Sequence, residues 1–240
     1  MKMTALITGA SGGIGRAIAL KMAASGWNII LHYSRNEGTA FDTAEAIRHT
    51  GQEATLVQAD LTDREGVQRI INASKSAAAI IFSAGMNQYG MLQDVSDEEM
   101  EALWLVHVKA PMILSRELIP GLLTKRGASI TFISSIWGET GASCESVYSA
   151  VKGAQIAFAK ALAKELGPSG IRVNTIAPGA VDTPMNDQFS GEEREEIAAD
   201  IPLGRFALPD EIAAAALFLT SNEAGYITGH TLSINGGWYA

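Results

Sequence analysis

The stretch "LITGASGGIGRAIAL", Leu6 to Leu20, decides the fold. It runs from an apolar strand through a turn carrying Gly9, Gly12, Gly13 and Gly15 into a segment of helical period. A merely tight strand-to-helix turn needs a glycine or two. Four, spaced T-G-x-x-x-G-x-G, let the backbone approach a pyrophosphate closely, and the helix that follows supplies free N–H groups and a partial positive charge. The turn therefore predicts a dinucleotide site over Gly9, Ser11, Gly12, Gly13, Ile14 and Gly15.

Working outward, short β-branched runs alternate with helical stretches. Strands are expected at 3–8, 28–33, 53–58, 78–83, 128–134, 172–177 and 231–235. Helices are expected near 13–25, 38–50, 63–74, 97–124, 146–167 and 209–220. Strand then helix, repeated, argues for an α/β fold: a doubly wound, Rossmann-type parallel sheet of about seven strands with helices on both faces. No repeat, linker or low-complexity tract divides residues 1–240, so one domain is expected. The rhythm breaks after Ala177, and residues 184–206 read as a substrate lid loop at a strand's carboxyl end.

The second strand ends "LHYSRNE", with Ser34 and Arg35 and no acid before Glu37. An acid there would bond a ribose 2′-hydroxyl, whereas a basic residue accommodates a 2′-phosphate. NADP(H) is favoured, the competing view of Arg35 being a solvated loop cation. A second local pattern is Tyr148 and Lys152, which share a helix face one turn apart. An ammonium a few ångströms from a phenol supplies roughly 4 kcal/mol at an effective dielectric near 20, enough to bring a pKa of about 10 towards 7. A proton donor works best there.

Composition bounds the remainder. The chain has 240 residues, 47% of them hydrophobic, and a formal net charge of −8 without a basic stripe. That argues against a nucleic-acid partner, and no apolar run is long enough to suggest a membrane span. A single cysteine, Cys144, and a start that goes straight into a strand predict a cytoplasmic protein. No metal is expected.

With the glycine turn and Y-x-x-x-K in hand, the chain resembles the short-chain dehydrogenase/reductase family along essentially its whole length. The likeness continues through "DL" at Asp60–Leu61, "SAG" at Ser83–Ala84–Gly85, "ISS" at Ile133–Ser135, "YSAVK" at Tyr148–Lys152 and "PGAVDTPM" at Pro178–Met185. It implies that Tyr148 is the proton donor to a carbonyl, that Lys152 tunes it and holds the nicotinamide ribose, and that Ser135 positions the substrate oxygen. Adjacent Ser134 competes for that last role. Asp60 and Leu61 would flank the adenine. Ser83, Ala84, Gly85, Pro178, Gly179, Val181 and Thr183 would line the cofactor, Thr183 contacting the nicotinamide amide.

The pattern is broken twice. Phe82–Ser83 stand where the family usually has an asparagine pair, and His107 stands where many members carry an asparagine whose backbone holds a water near the lysine. His107 could serve through its main-chain carbonyl if its helix is kinked, could join a proton relay, or could simply pack. "GEEREE", Gly191 to Glu196, reads as a solvated lid-helix face, or with Glu139 and Glu145 as an attractor for a cationic substrate. Within the family the chain resembles the 3-oxoacyl-[acyl-carrier-protein] reductase branch. The string "SSIWGETGASCE", Ser134 to Glu145, is similar to that of reductases acting on the 5-aminopentanone modification of elongation factor P. The expected partner is thus a ketone carried on elongation factor P or on acyl carrier protein. A homotetramer or homodimer is implied by the likeness alone.

Overall fold

A computed structural model describes residues 2–187 and 189–239. Seven parallel strands form one sheet in the order β3-β2-β1-β4-β5-β6-β7. They are β1 (Thr4–Thr8), β2 (Asn28–Tyr33), β3 (Ala54–Gln58), β4 (Ala79–Phe82), β5 (Ser129–Ile133), β6 (Arg172–Pro178) and β7 (Thr231–Ile234). Each expected strand is present, with ends shifted by at most one residue from 3–8, 28–33, 53–58, 78–83, 128–134, 172–177 and 231–235. The central strands β4, β5 and β6 are buried at every position, as a sheet covered on both faces requires.

Three helices cover one face: α1 (Gly13–Ala24), α2 (Glu37–His49) and α9 (Pro209–Thr220), around Ile7, Ile18, Met22, Ile29, Leu31 and Ile212. The opposite face carries α3 (Arg64–Ser74), α5 (Ala110–Leu122) and α7 (Ser146–Leu166), around Leu6, Ile70, Ile80, Phe132 and Leu162. The strand order reverses between β1 and β4, which run side by side from Ala5↔Ala79 to Thr8↔Phe82. Ligands of open α/β sheets bind at such a switch point, beyond the strands' carboxyl ends.

Two expectations need correction. The helix expected over 97–124 is broken into α4 (Asp97–Trp104), a π-helical turn (Leu105–Lys109) and α5. Pro111 explains part of the break: it has no N–H to give the carbonyl four residues earlier, that of His107. The segment 184–206, read as a loop with a lid-helix face at Gly191–Glu196, is more ordered than a loop. It holds a 3₁₀ turn (Pro184–Asn186) and α8 (Gly191–Asp200), started by a capping box between Ser190 and Glu193. A four-residue helix, α6 (Trp137–Thr140), also follows β5.

Candidate active site

The glycine turn lies at the switch point. Gly9 has φ +68°, and a Cβ there would lie 2.6 Å from the Ala84 Cα, so only glycine lets the β1 and β4 ends meet this closely. The Thr8 hydroxyl accepts from both the Ser83 and the Ala84 N–H at 3.1 Å, locking the "SAG" loop to this turn. His32, at the end of β2, does the same from the other side. Its Nδ1 accepts from the Gly9 N–H at 3.1 Å, and its Nε2 donates to the Ala59 carbonyl at 3.1 Å. Burial, partly opposed by the Ala59 bond, lowers its pKa to about 4, so the ring stays neutral and holds this one tautomer. The sequence reading passed over His32 as part of "LHY".

The residues present fit a dinucleotide phosphate. Helix α1 follows Gly12 with no side chain capping it and no acid in its first turn, whereas Asp63 caps α3 by accepting from the Glu65 and Gly66 N–H groups. An uncapped N-terminus at a glycine turn keeps its donors for an anion. Arg35 is exposed beside Asp60, and among the described residues its guanidinium makes no hydrogen bond or salt bridge. The Asp60 carboxylate, held below its ordinary range chiefly by Thr62, receives the Thr62 N–H and hydroxyl at 2.8 Å each. Ser34 is exposed and gives its carbonyl to Gln58; Leu61 is buried. The Ser83 hydroxyl is buried without a partner, a group a ligand could satisfy.

Ile14, Pro178, Gly179, Val181 and Thr183 line one cleft together with Ser135, Trp137 and Tyr148. Thr183 lies on the glycine turn, so close that a Cβ on Gly13 would sit 2.5 Å from its Cγ2. Of the two serines, Ser134 is tied down: its N–H donates to Ile176 and its hydroxyl donates to the Lys152 carbonyl at 2.9 Å. The Ser135 hydroxyl accepts from the Trp137 N–H at 3.2 Å and lies near enough to Tyr148 to pull that phenol's pKa down. Tyr148 and Lys152 point to the same side of α7, with the lysine Nζ 5.5 Å from the ring centroid.

The electrostatics depart from expectation. Burial, reinforced by the Glu145 carboxylate, pushes the Tyr148 phenol well above its ordinary value, and the Ser135 hydroxyl only partly opposes this. Lys152 is itself drawn down to about 7 by burial. Its Nζ donates to the Ile133 carbonyl at 2.9 Å rather than to the phenol. In this structure desolvation outweighs the Coulombic assistance anticipated from the spacing, because both groups leave water together.

His107 is fully buried, 5.7 Å from the Tyr148 ring in an edge-on arrangement. Its Nε2 meets the Met86 carbonyl at 2.8 Å and the Met86 N–H at 3.2 Å, and its Nδ1 has no partner. Burial, with Lys152 adding to it, lowers the pKa to about 3, which disfavours the proton-relay alternative. The expected kink is present as the π turn. The freed His107 carbonyl, however, accepts from Gln155 Nε2 at 2.8 Å. Gln155 was missed in the sequence, although Pro111 four residues after His107 signalled a carbonyl in want of a donor.

Comparisons follow this geometry. Residues 9–239 match a family described as enoyl-(acyl carrier protein) reductase. The chain is 49% identical over 241 residues to an uncharacterized oxidoreductase of Bacillus subtilis (strain 168), YmfI, covering 100% of each. It is 34% identical over 245 residues to the 3-oxoacyl-[acyl-carrier-protein] reductase FabG of Staphylococcus aureus (strain Mu50), again covering 100% of each. A short-chain dehydrogenase from Burkholderia cenocepacia J2315, solved in complex with NADP, superposes with a TM-score of 0.91 and 30% identity over 99% of this chain and 98% of that one. Fold and relatives together define an oxidoreductase with a Rossmann-type sheet. More particularly, the chain belongs to the short-chain dehydrogenase/reductase family.

Proposed function

We propose that the chain is an NADPH-dependent carbonyl reductase acting on a ketone, with Ser135, Tyr148 and Lys152 as its catalytic residues. The observation that carries this reading is that Ser135 and Tyr148 line one cleft with Ile14 and Thr183, the latter packed on the glycine turn. When bound, NADPH supplies a hydride to the carbonyl carbon. Tyr148, kept protonated by burial, donates its proton to the carbonyl oxygen. Ser135 holds that oxygen beside the phenol. Lys152, anchored on the Ile133 carbonyl, carries charge that favours the phenolate left behind. The uncapped start of α1 and Arg35 would take the phosphates, and Ser83, Pro178, Gly179, Val181 and Thr183 the nicotinamide side.

Helix α8 and the turn before it act as the lid, presenting Met185, Phe189 and Ile197 to the cleft. No residue of α8 is fully buried, and its ties include Arg194, paired with Asp182 and stacked on Phe206 at 4.6 Å, so few contacts need change for it to close and exclude water. The preferred substrate is the 5-aminopentanone group on a lysine of elongation factor P, supported by the "SSIWGETGASCE" likeness. The 34% identity to FabG favours a second reading, a 3-oxoacyl group on acyl carrier protein. NADPH oxidation in the presence of a generic diketone, lost in Tyr148→Phe, tests the chemistry. Mass spectrometry of the modified factor, with and without this protein, tests the carrier: an unchanged mass sinks the first substrate.

A further inference from the structure

Glu145 is the residue immediately before α7, the position from which a short polar side chain would cap the helix's own N–H groups. Here it makes no such bond. Its side chain turns instead to the loop after β4, where Oε1 accepts from Asn87 Nδ2 at 3.1 Å. The residue is only 8% exposed, and among the described residues Oε2 has no partner. Glu145 and Asn87 both line the cleft that holds Ser135 and Tyr148, which places this carboxylate beside the substrate's own space. Trp137 and Trp238, packed edge-on with centroids 5.2 Å apart, line the same cleft and suit a cation's apolar shell. A buried, half-paired carboxylate destabilises the free protein, and an N–H donor of opposite charge is the partner that relieves it.

We propose that Glu145 selects the substrate: the cleft takes ketones that carry a protonated aliphatic amine, whose N–H bonds the Glu145 carboxylate while Ser135 and Tyr148 engage the carbonyl. This rests on the carbonyl-reductase reading above. The experiment compares kcat/KM for 5-(dimethylamino)pentan-2-one with that for its neutral isostere, 6-methylheptan-2-one, in the wild type and in Glu145→Gln, which keeps the Asn87 contact. The wild type should prefer the amino ketone by about tenfold or more, the weight of one charge-assisted hydrogen bond, and Glu145→Gln should erase that preference mainly through KM. A wild type that reduces both ketones equally, or a preference that survives the substitution, overturns the assignment while leaving the reductase reading intact. Reduction of neither ketone overturns both.

Discussion

At the glycine-turn end of the cleft, His32 accepts from the Gly9 N–H and donates to the Ala59 carbonyl, so both ring nitrogens are used. At the Tyr148 end, His107 offers one Nε2 to both the carbonyl and the N–H of Met86 and leaves Nδ1 unmet. The contrast extends to their neighbours. Thr8 satisfies two N–H groups around the glycine turn, whereas one oxygen of Glu145 and one of Gln155 lack partners around Tyr148. Fully paired buried groups fix a scaffold; half-paired ones store a demand that a ligand can meet. His32 and Thr8 hold the glycine turn itself still, while the unpartnered Ser83 hydroxyl beside it and the half-paired groups around Tyr148 are left for ligands.

The sharpest way to break this comparison is at the phenol. Tyr148→Phe should lower kcat/KM by about a thousandfold, within the range for losing a positioned proton donor, with NADPH binding by fluorescence nearly unchanged. Lys152 comes next. Its pKa of about 7 in the fold lies below the ordinary 10.5, so the folded state binds fewer protons than the unfolded one between those values. Stability should therefore rise with pH from about 7 to about 10, and below that window the penalty is fully present. Lys152→Met should raise stability by up to a few kcal/mol in urea unfolding while lowering kcat/KM by about a hundredfold or more. Equal stability of the two proteins would mean that burial does not govern this site.

The scaffold end should respond through stability. His32 has a folded pKa of about 4 against an ordinary 6.5. Its contribution is complete above 6.5 and is lost as pH falls through about 4, a loss of about 3 kcal/mol. His32→Leu should cost about 2 kcal/mol at neutral pH and flatten the acid limb of a urea-midpoint series; an unaltered limb would remove His32 from the framework. Arg35→Ala should raise the KM for NADPH by about tenfold to a hundredfold and leave NADH within about threefold, which distinguishes a phosphate ligand from a solvated cation. Ser190→Ala should have the smallest effect. Loss of its capping box loosens α8 by about 1 kcal/mol, read as about fivefold faster amide exchange confined to that helix.

Much of this molecule was legible along the chain. Residues Gly9 to Gly15 announced the turn, and β-branched runs placed all seven strands, most plainly β4, an unbroken apolar stretch buried at every position. Tyr148 and Lys152 could be paired because one helical turn brings them together. What failed was the net shift of the phenol, which burial and Glu145 raise where the lysine was expected to lower it. Spacing gives a distance, but the local dielectric depends on what packs around it: Leu103, Val108 and Val151 join Tyr148 in one buried cluster. The single helix expected over 97–124 failed for a similar reason. Its period was right, yet Pro111 removed one donor and Gln155, 48 residues away, supplied another.

The sequence alone determined the order of strands and helices, the glycine turn and the Tyr148–Lys152 face, since each depends on a repeat or spacing short enough to be read locally. Only the tertiary structure decided which of Ser134 and Ser135 lies free beside the phenol, which carbonyl Gln155 would meet, and that Glu145 would turn from its own helix to Asn87, 58 residues earlier. Those outcomes depend on which buried polar groups find partners, and partners distant in the chain meet only when the layers close over them.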